Sequence, residues 1–273
     1  MHLGLALFAT DLTSDVRDVA RAAEDAGFES LFVAEHTHIP TSRATAYPQG
    51  GALPEVYAHT LDPFVSLAAA AAVTERIRLG TGICLVTERD PIVTAKEVAS
   101  LDRISDGRLL FGIGVGWNAE EMADHRVDFA DRWDVMSDRV HLMQELWTND
   151  VASYDGAHAS LSPSWQWPKP VQSPMRVLVG GSSKRSMRHA VDYATDWMPM
   201  PSKQPFNERL AELADLAAVA GKPVPGVTTY WVRPDRGVLD HYAELGVERA
   251  IMILPFDADV LPTVREWAKL VRP

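Results

Sequence analysis

The sequence predicts an α/β fold, a single (β/α)8 barrel, and three observations predict it. Short apolar runs alternate with helix-period segments from end to end, eight times in 273 residues, which is the unit count and length of that fold. Several runs are continuously apolar rather than alternating, as in parallel strands covered on both faces. Glycine-rich or polar segments follow the runs directly, where such barrels carry their active sites.

Residues 3–8, LGLALF, form the first strand. The helix over 14–27 sets Val16, Val19, Ala20, Ala23 and Ala26 on one face, with Ser14 as N-cap and Gly27 as its stop. Strand two covers 30–35, and the helix over 62–75 opens with Asp62 as cap and Pro63 at its first position. Strand three covers 77–86, followed by a helix over 91–105. Strand four covers 108–115, followed by a helix over 132–147 with Met136, Val140, Met143 and Trp147 on one side. Alternation around Asp155-Gly156 predicts a short hairpin inserted after the fourth helix. Strands at 176–181, 196–200, 226–232 and 249–255 then alternate with helices at 183–194, 205–220, 237–245 and 258–271. No repeat or low-complexity linker interrupts this pattern, so residues 1–273 read as one domain. An open doubly wound sheet is the alternative architecture.

A formal charge of −11 argues against nucleic-acid and anionic-membrane partners, which need a basic face. The only cysteine, Cys84, excludes an internal disulfide and fits a reducing cytoplasm. The apolar N-terminus lacks a basic leader and reads as a strand, not a signal peptide. No apolar run reaches the roughly 18 residues of a membrane span.

The strand ends carry the candidate chemistry. In AEHTHIP, His36 and His38 stand two apart in an extended segment, the spacing of two metal ligands on one side. Most remaining histidines fall in helices or distant loops, and strands four to eight end in glycine, methionine, valine and proline. No metal is therefore expected. A nucleophilic hydrolase is disfavoured because no G-x-S-x-G elbow occurs. Two readings of the stretch stay open on these residues, an acid–base pair of Glu35 and His36 beside a cofactor or ordinary polar residues where a strand becomes a loop; His38 reads as loop structure.

In VGGSSKRS, Gly180 and Gly181 let backbone N–H groups approach an anion, the Ser182 and Ser183 hydroxyls can donate, and a helix N-terminus follows. FGIGVGWNAEE lacks the dinucleotide spacing, because Trp117 stands where the third glycine belongs. Its alternating Gly112, Gly114 and Gly116 either bare one side of strand four to a flat ring or allow close packing within the barrel. Gly82 permits a bulge where a ligand approaches. Cys84 reads as a small core residue, and Glu120 and Glu121 as a solvated helix start.

In order, AEHTHIP, LDPFVSLAAAAAVTERIRLGTGICLVTERDP, KEVASLDRISDGRLLFGIGVGWNAEE, FADRWDVMSDRVHLMQELW and RVLVGGSSKRSMRHAVDYATDWMP resemble the bacterial luciferase-like superfamily, specifically its coenzyme F420-dependent branch. The resemblance covers about two thirds of the chain. It implies a flavin or deazaflavin at the C-terminal rim, with Glu35 and His36 over its reactive face. It further implies ring support from Gly82, Ile83 and Cys84 through a bulge with a non-prolyl cis peptide. Gly114, Val115, Gly116, Trp117 and Asn118 would border the ring, and Gly180, Gly181, Ser182 and Ser183 would hold its phosphate. Relatives that oxidise sugar phosphates place a glutamate where Trp117 stands, so such substrates are not implied. The barrel also leaves little room for the long insertion of the true luciferases. Similar proteins are usually homodimers.

Three readings follow: an F420-dependent oxidoreductase passing hydride to or from a small organic substrate, an FMN-dependent monooxygenase, or a non-catalytic cofactor-binding protein. A basic rim of Lys184, Arg185, Arg188 or Arg89 would favour the deazaflavin, whose tail is polyanionic.

Overall fold

A computed structural model describes residues 1–271. Its first half contains β1 His2–Leu7, α1 Val16–Ala26, β2 Ser30–Val33, α2 Pro63–Ala71, β3 Arg78–Thr81, β4 Cys84–Leu85, α3 Pro91–Ile104, β5 Leu109–Gly114, α4 Ala119–Asp124 and α5 Arg132–Thr148. Its second half contains β6 Ala152–Asp155, β7 Ser160–Ser164, β8 Val177–Gly180, α6 Lys184–Tyr193, β9 Asp196–Met198, α7 Phe206–Ala220, β10 Gly226–Val232, α8 Arg236–Glu244, β11 Arg249–Ile253 and α9 Leu261–Val271. Strand order runs β3-β2-β1-β11-β10-β9-β8-β5, all parallel, and a β3–β5 pairing closes the ring. The chain is thus the predicted eight-stranded barrel with helices between strands. The inserted hairpin is β6–β7, antiparallel and outside the barrel, its turn closed by Gly156 N–H donating to the Ala159 carbonyl at 3.0 Å.

The apolar runs divide by parity. Leu5 and Leu7 of β1 face the helices, while Ala6 faces inward with Phe32, Leu110, Leu178, Met198, Tyr230 and Ile251. Strand three is not continuous. It breaks after Thr81, where the Gly82–Ile83 peptide is cis, and resumes as β4 against β5.

The glycines of β5 serve this break. A Cβ on Gly112 would stand 2.1 Å from the Thr81 carbonyl oxygen, and one on Gly114 would stand 2.0 Å from Ile83 Cδ1. The open side of strand four is filled by protein, and of the two sequence readings close packing is the one realised.

Local signals hold where no distant residue competes. Asp62 caps α2 through Val65 N–H at 2.9 Å, and Gly27 ends α1 at φ 86°. Ser14 does not cap α1; Asp15 does, accepting from Arg17 N–H at 2.9 Å. The Ser14 hydroxyl is drawn instead to the start of α9, bonding Asp259 and accepting Val260 N–H, each at 3.1 Å.

A methyl group at position 112 has no space. Gly112→Ala is expected to destabilise the fold by about 1–3 kcal/mol through overpacking, read from denaturant midpoints. Gly237→Ala in α8, where a Cβ meets only Asp235 Oδ1 at 3.4 Å, is expected to be neutral or stabilising by up to about 1 kcal/mol.

Candidate active site

The C-terminal ends of the strands converge on a cavity of about 340 Å3. The segment 34–61 between β2 and α2 folds over it and supplies Tyr47, Gln49 and Tyr57. Phe8, Trp117 and Trp231 add aromatic wall, and among the described residues no lysine or arginine lines it.

His36 leaves β2 with its backbone clamped by Thr60: the His36 N–H donates to Thr60 Oγ1 at 3.2 Å, and that hydroxyl donates to the His36 carbonyl at 2.9 Å. Its ring is only 6% exposed, and Nδ1 lies 2.7 Å from Glu121 Oε2. Opposite a carboxylate Nδ1 carries the proton. Nε2 has no protein partner among the described residues, and His36 lines the cavity. Glu121 Oε1 accepts Thr37 N–H at 3.1 Å. Asn118 caps α4, its Oδ1 accepting Glu121 N–H at 3.5 Å, which turns the Glu121 side chain toward His36.

Glu35 points the other way. Its Oε2 accepts Leu85 N–H at 2.7 Å and its Oε1 accepts Arg89 Nε–H at 2.5 Å. Arg89 also pairs with Asp62 and with Glu97 at 3.2 Å, its guanidinium over the Phe64 ring. Burial raises the Glu35 carboxyl, opposed by Arg89 and the Leu85 N–H. Glu35 therefore anchors the broken strand three, and the carboxylate that orients His36 is Glu121. Adjacent residues in an extended segment face opposite sides, which is why Glu35 meets Leu85 and Arg89 while His36 beside it meets Glu121. Glu120, beside it, takes Thr45 N–H at 3.0 Å and the Ser42 hydroxyl at 3.1 Å; bonds from Thr45 hold its carboxyl down at about 2. Glu120 thereby fastens segment 34–61 to α4.

The turn after β8 is partly committed to protein. Ser183 caps α6 through Ser186 N–H at 3.2 Å, and Ser182 Oγ exchanges bonds with the Met200 carbonyl and N–H at 3.1 Å each. Gly181, at φ 116°, accepts Trp197 Nε1–H at 2.9 Å. Of the first turn of α6, Lys184 and Arg185 remain at an exposed rim. Nearby, Arg132 Nε is buried with no partner among the described residues, and Arg132 is held low by burial and then by Arg185.

Residues 8–234 match the family of luciferase-like monooxygenases. The chain belongs to that family. An uncharacterised protein of Mycobacterium tuberculosis H37Rv is 41% identical over 260 residues, 93% of this chain and 92% of the relative. In fold the chain is similar to the monooxygenase RslO1 from Streptomyces bottropensis, at TM-score 0.79 and 21% identity over 100% of this chain and 97% of that one. It is similar in fold to an F420-dependent secondary alcohol dehydrogenase in complex with an F420–acetone adduct, at TM-score 0.78 and 17% identity over 100% and 99%. Members of this superfamily are oxidoreductases and monooxygenases.

Of the residues singled out in the sequence, Glu35, His36, Gly82, Ile83, Gly114, Val115, Gly116, Trp117, Gly180 and Gly181 line the cavity. Cys84 does not: it is buried outside the barrel with Val86 and Val115, and burial pushes its thiol up. Asn118 acts behind the wall as a cap, and Ser182 and Ser183 lie at the exposed rim beyond it. His38 turns away to Asp124 at 2.9 Å, so His36 and His38 share no point. Glu121, expected in solvent, is 1% exposed on its side chain. Its signal was Asn118 three residues ahead, a cap-and-N3 spacing; the aromatic segment 34–61 gave none.

Arg89 is, among the described residues, the one guanidinium touching Glu35, whose side chain is 1% exposed. Arg89→Met is expected to cost about 3–5 kcal/mol by stranding that charge, and adding Glu35→Gln should recover part of the loss in the same denaturation assay.

Proposed function

We propose that the chain is an F420-dependent oxidoreductase acting on a small uncharged alcohol, carbonyl or imine compound. The observation that carries this reading is His36, held by Glu121 with Nε2 toward an aromatic cavity. Moving hydride to or from a carbon bearing oxygen or nitrogen requires a proton to move at that heteroatom, and a fixed imidazole is suited to accept or return it. The bound deazaflavin supplies the hydride donor or acceptor. Gly180, Gly181 and the first turn of α6 would hold its phosphate; Arg132 Nε, an unspent donor among the described residues, stands at the start of α5 next to Trp133 of the cavity wall. That unpartnered buried donor fits an anionic group, and a cavity lining without lysine or arginine among the described residues fits a neutral substrate. A solved structure similar in fold is an F420-dependent secondary alcohol dehydrogenase.

A second reading, an FMN-dependent monooxygenase, is favoured by the rim charges. Lys184 pairs with Glu212 at 3.1 Å, Arg185 with Asp134 at 2.8 Å, and Arg89 is buried with Glu35. Arg188 lies on another face beside Asp192 and Lys222. This leaves little free positive charge for a polyanionic tail. A homodimer and a cytoplasmic location accompany the first reading as they do the second.

Fluorescence titration of F420 and FMN separates the two: tighter F420 binding is expected, and tight FMN binding without F420 binding would reverse the order. His36→Ala is expected to lower turnover on a panel of alcohols, imines and enones by roughly 10²-fold or more with cofactor affinity nearly intact. Undiminished turnover would remove His36 from the chemistry.

A further inference from the structure

Behind the cavity wall lies a carboxyl group that the site does not use. Glu88 ends the short 3-10 turn Val86–Glu88 that follows β4. It is 5% exposed and absent from the cavity lining. Neither of its oxygens meets an N–H or O–H donor among the described residues. It abuts Gly116, where a Cβ would come within 3.2 Å of Oε1, and its carboxyl reaches that of Glu121.

The groups facing it can be assigned one by one. Glu121, on α4, already accepts from His36 Nδ1 at 2.7 Å and from Thr37 N–H at 3.1 Å, one donor on each oxygen. Glu35, at the end of β2, takes Leu85 N–H and Arg89. Arg89, next in the chain, is shared among Glu35, Asp62 and Glu97. Arg139 of α5 donates to the carbonyls of Val86 and Arg89, each at 2.9 Å, and not to Glu88. Two carboxyl groups within hydrogen-bonding reach cannot both stay ionised away from water. Of the pair, Glu121 has donors on both oxygens and is the anion; Glu88 has none and carries the proton.

We propose that Glu88 is kept as the neutral acid and donates its proton to the Glu121 carboxylate, making it a positioning residue for His36. The order is Glu88 to Glu121 to His36, with only the last facing the cavity. The shared proton spares the site a second buried negative charge and fixes the Glu121 carboxylate at the angle that His36 Nδ1 needs. Burial first, then Glu121 and Glu35, pushes the Glu88 carboxyl up to about 9, with Arg89 opposing.

The assignment of the proton is independent of the redox reading; its effect on turnover rests on that reading of His36. The decisive measurement is made on the cofactor-free protein. At neutral pH the infrared difference between wild type and Glu88→Gln should contain a carboxylic-acid C=O band that the variant lacks. No such band would overturn the proposal whatever His36 does.

Thermal stability supplies a second reading. A carboxyl titrating near 4.3 when unfolded and at about 9 when folded binds a proton on folding throughout that interval, so its contribution falls as pH rises across it. Glu88→Gln cannot lose that contribution, so its Tm advantage over wild type should grow from pH 5 to pH 9, by roughly 10–20 °C in all. A Tm difference that stays flat with pH would count against the proposal.

In the cofactor-loaded enzyme Glu88→Gln keeps an N–H donor and should hold kcat within about twofold. Glu88→Met has no donor and should lose about tenfold in kcat with KM and cofactor affinity unchanged. Equal losses in both variants would reduce Glu88 to a space-filling role. If His36→Ala leaves turnover intact while the infrared band is present, His36 leaves the chemistry and the proton assignment stands.

Discussion

Three carboxyl groups, Glu35, Glu88 and Glu121, are buried in one wall of the barrel mouth, with Arg89 the guanidinium that balances them. Desolvating so much negative charge is the constraint from which the site follows. Arg89 reaches Glu35 through Nε, so the Glu35 charge is met by an opposite one and by the Leu85 N–H. Glu121 is met by two donors, His36 Nδ1 and Thr37 N–H. Glu88 has neither, and its proton is the cheapest remaining way to balance the wall. Each acid differs from the next only in which donors reach it, yet the result is one structural anchor, one orienting carboxylate and one neutral acid.

The same wall ties fold to site. Glu35 holds the chain where strand three breaks, and the Tyr230 hydroxyl donates to the Gly82 carbonyl from across the barrel at 2.7 Å. Those two bonds fix both sides of the Gly82–Leu85 step, which forms the floor on which His36 stands. A change in the depth of that floor would move Ile83, then Gly114, then the turn carrying Trp117.

Much of this was legible before any coordinates. Strand ends could be placed from apolar runs, which set Glu35, His36, Gly82, Gly114 and Gly180 at one rim. The helix caps at Asp62 and Gly27 are local chemistry and stand in the sequence as they stand in the fold. The partner of His36 was not legible, because Glu121 is 85 positions away. Strand parity alone does say that Glu35 and His36 face opposite sides, so pairing them was a misreading the sequence itself could have prevented. Ser14 failed differently: its competitor, the start of α9, lies some 245 residues on. Segment 34–61 is irregular, and its aromatic residues have no period that would announce a cavity wall.

The glycines carry the last step. Gly112, Gly114 and Gly180 stand on neighbouring strands and look like a bed for a planar ligand. Their missing side chains are instead replaced by the Thr81 carbonyl, by Ile83 Cδ1, and by Ile83 Cγ2 together with the Ile113 carbonyl. Backbone and one isoleucine fill the bed, so these positions answer to the break in strand three, and any ring must lie above Ile83. Ligand contact then falls to side chains from loops, Tyr47, Tyr57 and Trp117 around His36, whose ring lies 5.3 Å from that of Tyr57 and 6.0 Å from that of Trp117. A strand position cannot change without disturbing the barrel, whereas these loop positions can. On the proposed reading of His36, substrate choice would reside in segment 34–61 and the turn at 115–118, while the barrel beneath them would fix where the proton is exchanged.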